Sequence, residues 1–335
     1  MSKKIAINGF GRIGRNAFKL AFERDDIEVV AINDLTDTKT LAHLLKHDST
    51  YGTYHHDVSY DENSIFVAGK QIRVLAERDP ALLPWGEFGI DVVIEATGLF
   101  VQPEKARAHI NAGAKKVVIS APAKGEGAKF IVLGVNEHEL TREDDIISNA
   151  SCTTNCIAPV MAVLEREFGI EKSLMTTVHS YTASQRILDA PAKDLREARS
   201  AAENIVPTTT GAAIATAKVI PSLEGKFDGL SVRVPTPVVS LSDITAVLKR
   251  NTTKEEINEV FKRAAADPFY QGILAVTDEP LVSMDFKGNS HSSIVDLSLT
   301  NVVDGNLIKV VAWYDNEWGY SNRLVEIVAD VAVNI

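Results

Sequence analysis

Short apolar runs alternate with amphipathic segments through the first third of the chain. The apolar runs are rich in β-branched residues and end in polar ones, at 4–8, 28–33, 91–96 and 116–120. Helical patterns lie between most of them, at 13–24, 38–46 and 103–112. Continuous apolar strands that alternate with helices are typical of α/β folds. The pattern predicts a doubly wound (Rossmann) parallel sheet in an N-terminal α/β domain, residues 1–150.

The pattern changes beyond residue 150. One helix, about 155–168, is followed by longer strands without regular helical crossovers, at 173–180, 229–234, 238–249, 291–302 and 306–314. A capping box at Thr253 opens one further helix, and 181–211 is a long irregular segment of the kind that is usually functional. We expect a second, α+β domain with a mostly antiparallel sheet over 151–316. A C-terminal helix, 317–335, is expected to pack back on the first domain.

Composition narrows the function classes. At 335 residues the chain exceeds the size of one hydrophobic core, which favours two domains. It has neither a run of about 18 apolar residues nor a signal-peptide pattern, so we expect a cytoplasmic protein without a membrane partner. The net charge of −10 argues against nucleic acid as the main partner. The two cysteines are too few for a zinc site, and the histidine spacings suggest no metal cluster, so no metal is expected.

A glycine-rich turn near the N-terminus fits a dinucleotide-binding fingerprint. Gly9, Gly11 and Gly14 follow a strand and open a helix, where Gly11 lets backbone amides approach a pyrophosphate. Asp34 stands 20 residues after Gly14, at the end of the second strand. A carboxylate there accepts hydrogen bonds from a ribose and repels a 2′-phosphate, which favours NAD over NADP. A plain glycine turn with a surface aspartate is the alternative.

Cys152 is the candidate nucleophile. It precedes the apolar face of a helix, and a helix N-terminus stabilises a thiolate and lowers the pKa of the thiol. Cys156, one turn further on, is expected to be a packed structural thiol. His179 ends an apolar strand just before the long loop, a position that suits a catalytic base. Taken singly, an inert core cysteine and a structural histidine remain open.

Several strings in the chain carry a family resemblance from end to end. They are Ile7-Asn-Gly-Phe-Gly-Arg-Ile-Gly-Arg15, Ser148-Asn-Ala-Ser-Cys-Thr-Thr-Asn155, Val206-Pro-Thr-Thr-Thr-Gly211, Arg233-Val-Pro-Thr-Pro237 and Trp313-Tyr-Asp-Asn-Glu-Trp-Gly-Tyr320. Together they resemble the phosphorylating glyceraldehyde-3-phosphate dehydrogenases, NAD-dependent and of the bacterial glycolytic type. The resemblance implies a catalytic second domain in which Cys152 forms a hemithioacetal and then a thioester, assisted by His179. Inorganic phosphate would release the acyl group as 1,3-bisphosphoglycerate.

The resemblance also implies the binding residues and the assembly. The phosphate of glyceraldehyde 3-phosphate would be held by Thr182 and Arg233. The attacking inorganic phosphate would be held by Ser151, Thr153, Thr210 and Gly211. Besides the glycines, the residues implied for NAD are Arg12, Ile13, Asp34, Arg78, Ser120 and Asn316, with Asn316 on the nicotinamide amide. A homotetramer is expected, with the 181–200 loop near a neighbouring subunit's cofactor site.

Some residues depart from the family pattern, and other functions remain open. Glu197 replaces an Arg that many bacterial relatives have near the attacking phosphate, and Ala190 is typical of NADP-using relatives. The nearest alternative is a dehydrogenase of another phosphorylated aldehyde, such as erythrose 4-phosphate. A cysteine hydrolase or acyltransferase, and a non-catalytic NAD-binding protein, are alternatives of other classes.

Overall fold

The structure is a computed structural model that describes residues 2–333. The chain divides into two compact units. The first contains the residues up to 131, residues 138–150 and the residues from 321 on, and the second contains 132–137 and 151–320. The predicted domain limits at 150 and 316 lie close to these divisions and remain predictions as domain boundaries. The predicted end points 1 and 334–335 lie outside the described residues.

The first unit is built on a nine-stranded sheet, counted over the described residues. Its strands are β1 Lys3–Asn8, β2 Ile27–Asn33, β5 Val58–Tyr60, β6 Ser64–Val67, β7 Lys70–Leu75, β8 Val92–Glu95, β9 Lys116–Ile119, β10 Lys129–Phe130 and β11 Ile146–Ser148. Their order is β10-β11-β9-β8-β1-β2-β7-β6-β5. All pairs from β10 to β7 are parallel, as predicted, whereas β5, β6 and β7 pair antiparallel at one edge.

Four helices and a short hairpin complete the described part of this unit before residue 150. They are α1 Arg12–Phe22, α2 Thr38–Lys46, α3 Trp85–Phe88 and α4 Pro103–Asn111, with β3 His47–Asp48 pairing with β4 Gly52–Thr53. β1 is buried along its last four residues and pairs with both β2 and β8. Because these strands are parallel, their polar carboxyl ends meet at one edge of the sheet.

The second unit contains an eight-stranded sheet within the described residues. Its strands are β12 Ile170–Ser180, β13 Val206–Thr209, β14 Phe227–Val234, β15 Ser240–Leu248, β16 Leu274–Thr277, β17 Ser293–Asp296, β18 Asn301–Val303 and β19 Leu307–Tyr314. The main path is β13-β14-β12-β15-β19-β17-β16, with β18 on β19. The sheet is mostly antiparallel, as predicted, but β12–β14 and β16–β17 are parallel pairs.

The remaining helices are α5 Cys152–Phe168, α6 Ala212–Val219, α7 Lys254–Ala266 and α8 Trp318–Val333. Half of the predicted capping box at the start of α7 is present: Thr253 accepts a hydrogen bond from the Glu256 amide, but the Glu256 carboxylate bonds to the Thr252 hydroxyl and to Arg250. α6 was not predicted, because its sequence has no amphipathic period. No described helix has the length and apolarity that crossing a membrane requires.

The predicted strand over 291–302 is interrupted in the structure. β17 ends at Asp296, and residues 297–299 form a 3₁₀ turn before β18. The Asp296 carboxylate accepts hydrogen bonds from both the amide, at 3.2 Å, and the hydroxyl, at 2.6 Å, of Ser298. This local cap gives the backbone an alternative to the ladder, so the strand breaks there.

Candidate functional site

The glycine turn between β1 and α1 leaves room for a ligand at one of its three glycines. A Cβ at Gly14 would lie 2.1 Å from the carbonyl oxygen of Gly9, and Gly9 itself has φ +94° against the backbone of Thr97. The fold therefore requires glycine at both Gly9 and Gly14. A Cβ at Gly11 would meet nothing within 4 Å. Packing within the protein does not require glycine at position 11. A phosphate that approaches the backbone there would require it, because a side chain would occupy the same space.

A cleft of about 400 Å³ lies at this turn. It is lined by Asn8, Gly9, Gly11, Asn33, Asp34, Leu35, Glu77, Arg78, Ala96, Thr97, Leu99 and Phe100. Asp34 braces the turn, since its carboxylate accepts hydrogen bonds from the amides of Phe10, at 2.8 Å, and Thr36, at 3.0 Å. The side chain is half-buried, so acceptor capacity remains for ribose hydroxyls. The open glycine face and this carboxylate fit a bound NAD.

A buried polar network supports the cleft and was missed by the sequence reasoning. Trp85 Nε1 donates to His109 Nδ1 at 2.9 Å, so the ring proton is on Nε2, which donates to Glu95 at 3.1 Å. Glu95 also accepts from Asn8 at 2.6 Å and from the Thr97 amide at 2.8 Å. Asn8 and Thr97 line the cleft, so the network fixes its floor. The available signal was the polar residue at the end of β1 and of β8.

The other residues predicted for the cofactor lie in different surroundings. The Arg12 guanidinium binds Asp48 at 2.8 Å and covers the Tyr51 ring at 5.6 Å, so this side chain holds α1 to the hairpin. Ile13 is in the first turn of α1. Arg78 is exposed on the cleft wall, and Ser120 directly follows β9.

Cys152 is the first residue of α5 in the second unit. Ser151 caps the helix by accepting a hydrogen bond from the Thr154 amide at 3.0 Å, and Ala150 before it has φ +52°. The thiol is half-buried. Cys156, one turn later, is fully buried with Sγ 3.8 Å from the Ser293 hydroxyl, and burial raises its pKa to about 12. The two cysteines thus differ in access.

His179 lies beside this thiol, near the end of β12. Its Nε2 is 3.5 Å from Cys152 Sγ, and its Nδ1 is 2.7 Å from the carbonyl oxygen of Ser180. When Nδ1–H donates to that carbonyl, the lone pair of Nε2 faces the thiol. The contact joins residues 27 positions apart and depends on tertiary packing.

The pKa values in the ligand-free structure differ from the expectation for a helix N-terminus. Burial raises the pKa of the Cys152 thiol, although the charge of Arg233 and hydrogen bonds from Thr153 act in the opposite direction. Burial, and then Arg233, lower the pKa of His179 to about 3. The expected lowering of the thiol pKa is therefore wrong, because desolvation outweighs the helix end. A neutral thiol faces a neutral imidazole.

Arg233 reaches this pair through strand register. In the parallel β12–β14 ladder it stands opposite His179. Its guanidinium nitrogen lies 2.5 Å from His179 Nδ1 and 3.3 Å from the Ser180 carbonyl oxygen. The guanidinium can only donate, so Nδ1 accepts from Arg233 in one tautomer of His179 and donates to the Ser180 carbonyl in the other.

Tyr314 forms the floor beneath the thiol and was not singled out from the sequence. Its hydroxyl is 2.8 Å from that of Thr153 and 2.9 Å from that of Thr177, and its ring meets His179 edge-on at 6.0 Å. Burial raises the pKa of this phenol, so the group stays neutral. Tyr314 joins the start of α5 to β12 and so helps to fix the Cys152–His179 geometry.

Asn316 is held by its carbonyl oxygen. Oδ1 accepts hydrogen bonds from Ser180 at 2.9 Å and Ser240 at 3.0 Å. The side chain therefore keeps its amide Nδ2 as a donor. Val239, directly before Ser240, has φ +69°, an uncommon conformation for a β-branched residue that marks a constrained backbone.

Comparisons with known proteins cover both units. Residues 3–103 match the family model described as glyceraldehyde 3-phosphate dehydrogenase, NAD binding domain, and residues 151–316 match the C-terminal domain of the same family. The chain belongs to the glyceraldehyde-3-phosphate dehydrogenase family. Relatives called glyceraldehyde-3-phosphate dehydrogenase from Geobacillus stearothermophilus and Zymomonas mobilis are each 56% identical, over 99% of this chain and of theirs. One from Borreliella burgdorferi is 56% identical over 97% of this chain and 98% of its own.

The remaining residues predicted from this family lie around the ends of β12 and β13. Thr182 follows β12, and its hydroxyl is 3.0 Å from that of Ser184. Thr210 accepts a hydrogen bond from the Ala212 amide at 3.2 Å, and Gly211 is the N-terminal cap of α6. The Thr182 and Thr210 hydroxyls thus both have local hydrogen-bond partners.

Glu197 does not stand free in this family member. It accepts a hydrogen bond from the Thr208 hydroxyl at 3.2 Å, and Asp194 lies at 3.4 Å from the same hydroxyl. Arg199, two residues further along the chain, is paired with Asp189 at 2.9 Å. Two carboxylates, those of Asp194 and Glu197, therefore lie at the Thr208 hydroxyl on β13.

Proposed function

We propose that this chain is an NAD-dependent phosphorylating glyceraldehyde-3-phosphate dehydrogenase. The reaction oxidises glyceraldehyde 3-phosphate and joins inorganic phosphate to the product, 1,3-bisphosphoglycerate. The observation that carries the proposal is the 3.5 Å approach of His179 Nε2 to Cys152 Sγ at the start of α5. Another phosphorylated aldehyde, such as erythrose 4-phosphate, is the weaker candidate for the substrate, because the relatives named above are called glyceraldehyde-3-phosphate dehydrogenases.

Cys152 and His179 share the covalent chemistry. The sulfur attacks the aldehyde carbon as its proton passes to Nε2, and Nε2 then gives that proton to the former carbonyl oxygen, which completes a hemithioacetal on Cys152. His179 then takes the hemithioacetal hydroxyl proton while the carbon loses its hydride. NAD, when bound, supplies the hydride acceptor. A phosphate oxygen finally attacks the resulting thioester, and the Cys152 sulfur leaves.

Arg233 and Thr182 are proposed to hold the phosphate of the substrate. A guanidinium binds a phosphate through charge-assisted hydrogen bonds, and a hydroxyl adds a neutral donor. The place of Arg233 opposite His179 supports this role, since a phosphate bound by the guanidinium would offset its charge beside the imidazole. With that charge offset, the pKa of His179 would rise and its Nε2 would become a stronger base.

The attacking inorganic phosphate is proposed to bind at a site whose hydrogen-bond donors are uncharged. The groups are the hydroxyls of Ser151, Thr153 and Thr210 and the amide of Gly211. A phosphate held without direct charge stays mobile enough to react. Asp194 and Glu197, both on the Thr208 hydroxyl, would weaken anion binding at this end of β13.

The cofactor is proposed to bind along the glycine turn. Gly9, Gly11 and Gly14 shape the turn, and the backbone at Arg12 and Ile13 begins α1, where amides favour a pyrophosphate. The ribose partner would be Asp34, which also disfavours a 2′-phosphate. Arg78 and Ser120 would border the adenosine, and Asn316 Nδ2 would hold the nicotinamide amide. Ala190 is exposed and leaves some NADP use open to test.

Assembly into a homotetramer is proposed from apolar surface. Leu174 and Ile214, which are 65% and 67% exposed, border one open apolar hollow on the second unit. Ile187 and Leu188 are exposed in the loop after β12. Such surface is usually covered by a partner.

We propose the cytoplasm as the compartment of this protein.

The proposal is tested by following reduced nicotinamide after mixing the protein with glyceraldehyde 3-phosphate and NAD. Phosphate-dependent multiple turnover is expected, and Cys152→Ser should abolish it. Faster turnover of erythrose 4-phosphate at equal concentration would replace the substrate. A folded protein that reduces no NAD with any aldehyde would reject the proposal.

A further inference from the structure

A second cluster of ligand-type side chains lies in the first unit, outside the residues that line the cofactor cleft. Glu23 is the C-terminal cap of α1, and His55 and His56 form the bend before β5. One carboxylate oxygen and one ring nitrogen from each histidine all lie within 4.8 Å of one another. The histidine spacing in the sequence suggested no metal cluster, because the third group comes from a distant segment.

The distances within this cluster are close to those around a tetrahedral ion. The Nε2 atoms of His56 and His55 lie 2.8 Å and 3.4 Å from the same carboxylate oxygen of Glu23. An ion with bonds of about 2.0–2.2 Å at tetrahedral angles separates its donor atoms by about 3.3 Å. Only small side-chain movements are therefore needed to admit the ion.

The two rings are also held in place. Consecutive side chains in an extended strand point to opposite faces, but the bend puts the His55 and His56 rings side by side, with centroids 4.0 Å apart. The buried Tyr54 ring meets them edge-on at 5.1 Å and 5.2 Å. Phe22 meets the His56 ring at 5.1 Å, and Lys46 Nζ donates to the His56 carbonyl at 2.8 Å. A ligand pair oriented by its neighbours loses less entropy on binding.

We propose that Glu23, His55 and His56 bind one divalent transition-metal ion, with water completing its coordination. Two imidazoles and one carboxylate match Zn²⁺ best among the common ions. The ion enters from solvent, since the three side chains are 50%, 68% and 25% exposed. It ties the end of α1 to the bend before β5 and stabilises this unit. The site is independent of the dehydrogenase reaction.

The test is a calorimetric titration with Zn²⁺ at neutral pH. Cys152→Ser is the background protein, because a thiolate would itself bind zinc. We expect one ion per chain, and His56→Ala or Glu23→Ala should weaken the affinity at least tenfold. Zinc should raise the melting temperature of the background protein and leave that of His56→Ala unchanged. If His56→Ala is less stable without zinc, His55→Gln, at the most exposed of the three positions, gives the same comparison.

The control is a second histidine pair in the same unit. His43 and His47 have ring centroids 4.9 Å apart, and no third ligand among the described residues completes a cluster with them. The double variant His43→Ala, His47→Ala should retain the affinity. Equal zinc affinity in the background protein and in His55→Ala, His56→Ala would overturn the proposal. The proposal would also be overturned if the control variant His43→Ala, His47→Ala lost as much zinc affinity as His55→Ala, His56→Ala.

Discussion

Arg233 connects substrate recognition to the state of the base. Its guanidinium lies 2.5 Å from His179 Nδ1 and contributes to the low pKa of that imidazole. A phosphorylated substrate would give this guanidinium a charge-assisted partner. The same residue then contributes to binding and to the readiness of the Cys152–His179 pair.

Replacing Arg233 should therefore discriminate between aldehydes. Arg233→Ala is expected to lower kcat/KM for glyceraldehyde 3-phosphate by at least 100-fold, about 2.7 kcal/mol. The loss for unphosphorylated glyceraldehyde should be much smaller. Steady-state kinetics with both aldehydes measure the ratio. Arg263→Ala, an exposed change on α7, is the control and should alter neither value. Equal losses for the two aldehydes would remove Arg233 from phosphate recognition.

At the scale of elements, the α1 glycines offer a matched pair. Gly14 has no room for a Cβ, because the Gly9 carbonyl oxygen would be 2.1 Å away, whereas Gly11 faces open space. Gly14→Ala should lower the melting temperature without cofactor. Gly11→Ala should leave it unchanged and weaken NAD binding at least tenfold, because the methyl group occupies the place proposed for pyrophosphate. Calorimetric titration with NAD decides the point, and wild-type affinity in Gly11→Ala would place the pyrophosphate elsewhere.

The contact between α1 and the β3–β4 hairpin should depend on pH. Burial alone raises the pKa of Asp48, but the Arg12 hydrogen bond and the Tyr51 and Thr50 amides outweigh it, so the net pKa is lowered from 3.8. A lowered carboxyl pKa stabilises the fold above the unfolded-state pKa, and this contribution is lost as the pH falls through the folded-state pKa. Asp48→Asn should cost about 1–3 kcal/mol at pH 7.

The stability difference between Asp48→Asn and wild type should shrink towards pH 3. Melting temperatures of both proteins across pH 3–7 measure it. Asp26→Asn is the matched control: its partner Arg24 also lowers the Asp26 pKa, but the Asp26 side chain is 48% exposed whereas that of Asp48 is 1% exposed. The two arginines are similarly exposed, at 34% and 35%, so the pairs differ in the carboxylate, and the change at the exposed Asp26 should cost at most about 1 kcal/mol. A deficit for Asp48→Asn that is constant with pH would contradict the ion-pair account.

Elements with a strong period were predictable, and those that depend on partners were not. The α/β alternation predicted the parallel sheet, and the polar start of an apolar helix predicted that Cys152 lies at a helix end. The edge strands β5 to β7 are short and partly polar, so only their mutual pairing reveals them. α6 has no amphipathic period, so the sequence did not predict this helix either.

The chemistry of the site follows the same division. His179 could be selected by its place at a strand end, but its 3.5 Å contact with Cys152 needed the folded sheet. The predicted direction of the shift in the Cys152 pKa was wrong, because desolvation depends on how deeply the folded chain buries the thiol, and the sequence alone does not give that burial. Glu95, His109 and the Glu23 cluster were missed since each joins distant segments.

At the scale of the whole molecule, the exposed apolar face of the second unit predicts the assembly. Leu174→Asp should split a tetramer into smaller species, because it places a charge on a surface that we expect a partner to bury. Sedimentation should give four times the 36.4 kDa of the chain for wild type and less for the variant. Leu82→Asp, at an equally exposed position in the first unit, is the control. A wild-type mass of one chain would contradict the proposed tetramer.

The central claim is that one turnover leaves an acyl group on Cys152 until phosphate removes it. The most direct measurement combines stopped-flow absorbance of reduced nicotinamide with intact-protein mass spectrometry, using glyceraldehyde 3-phosphate and NAD without phosphate. The account predicts a burst of one reduced cofactor per active chain, a matching acyl adduct on Cys152, and loss of that adduct when phosphate is added. Continuous turnover without phosphate, or a burst with no adduct on Cys152, would contradict it.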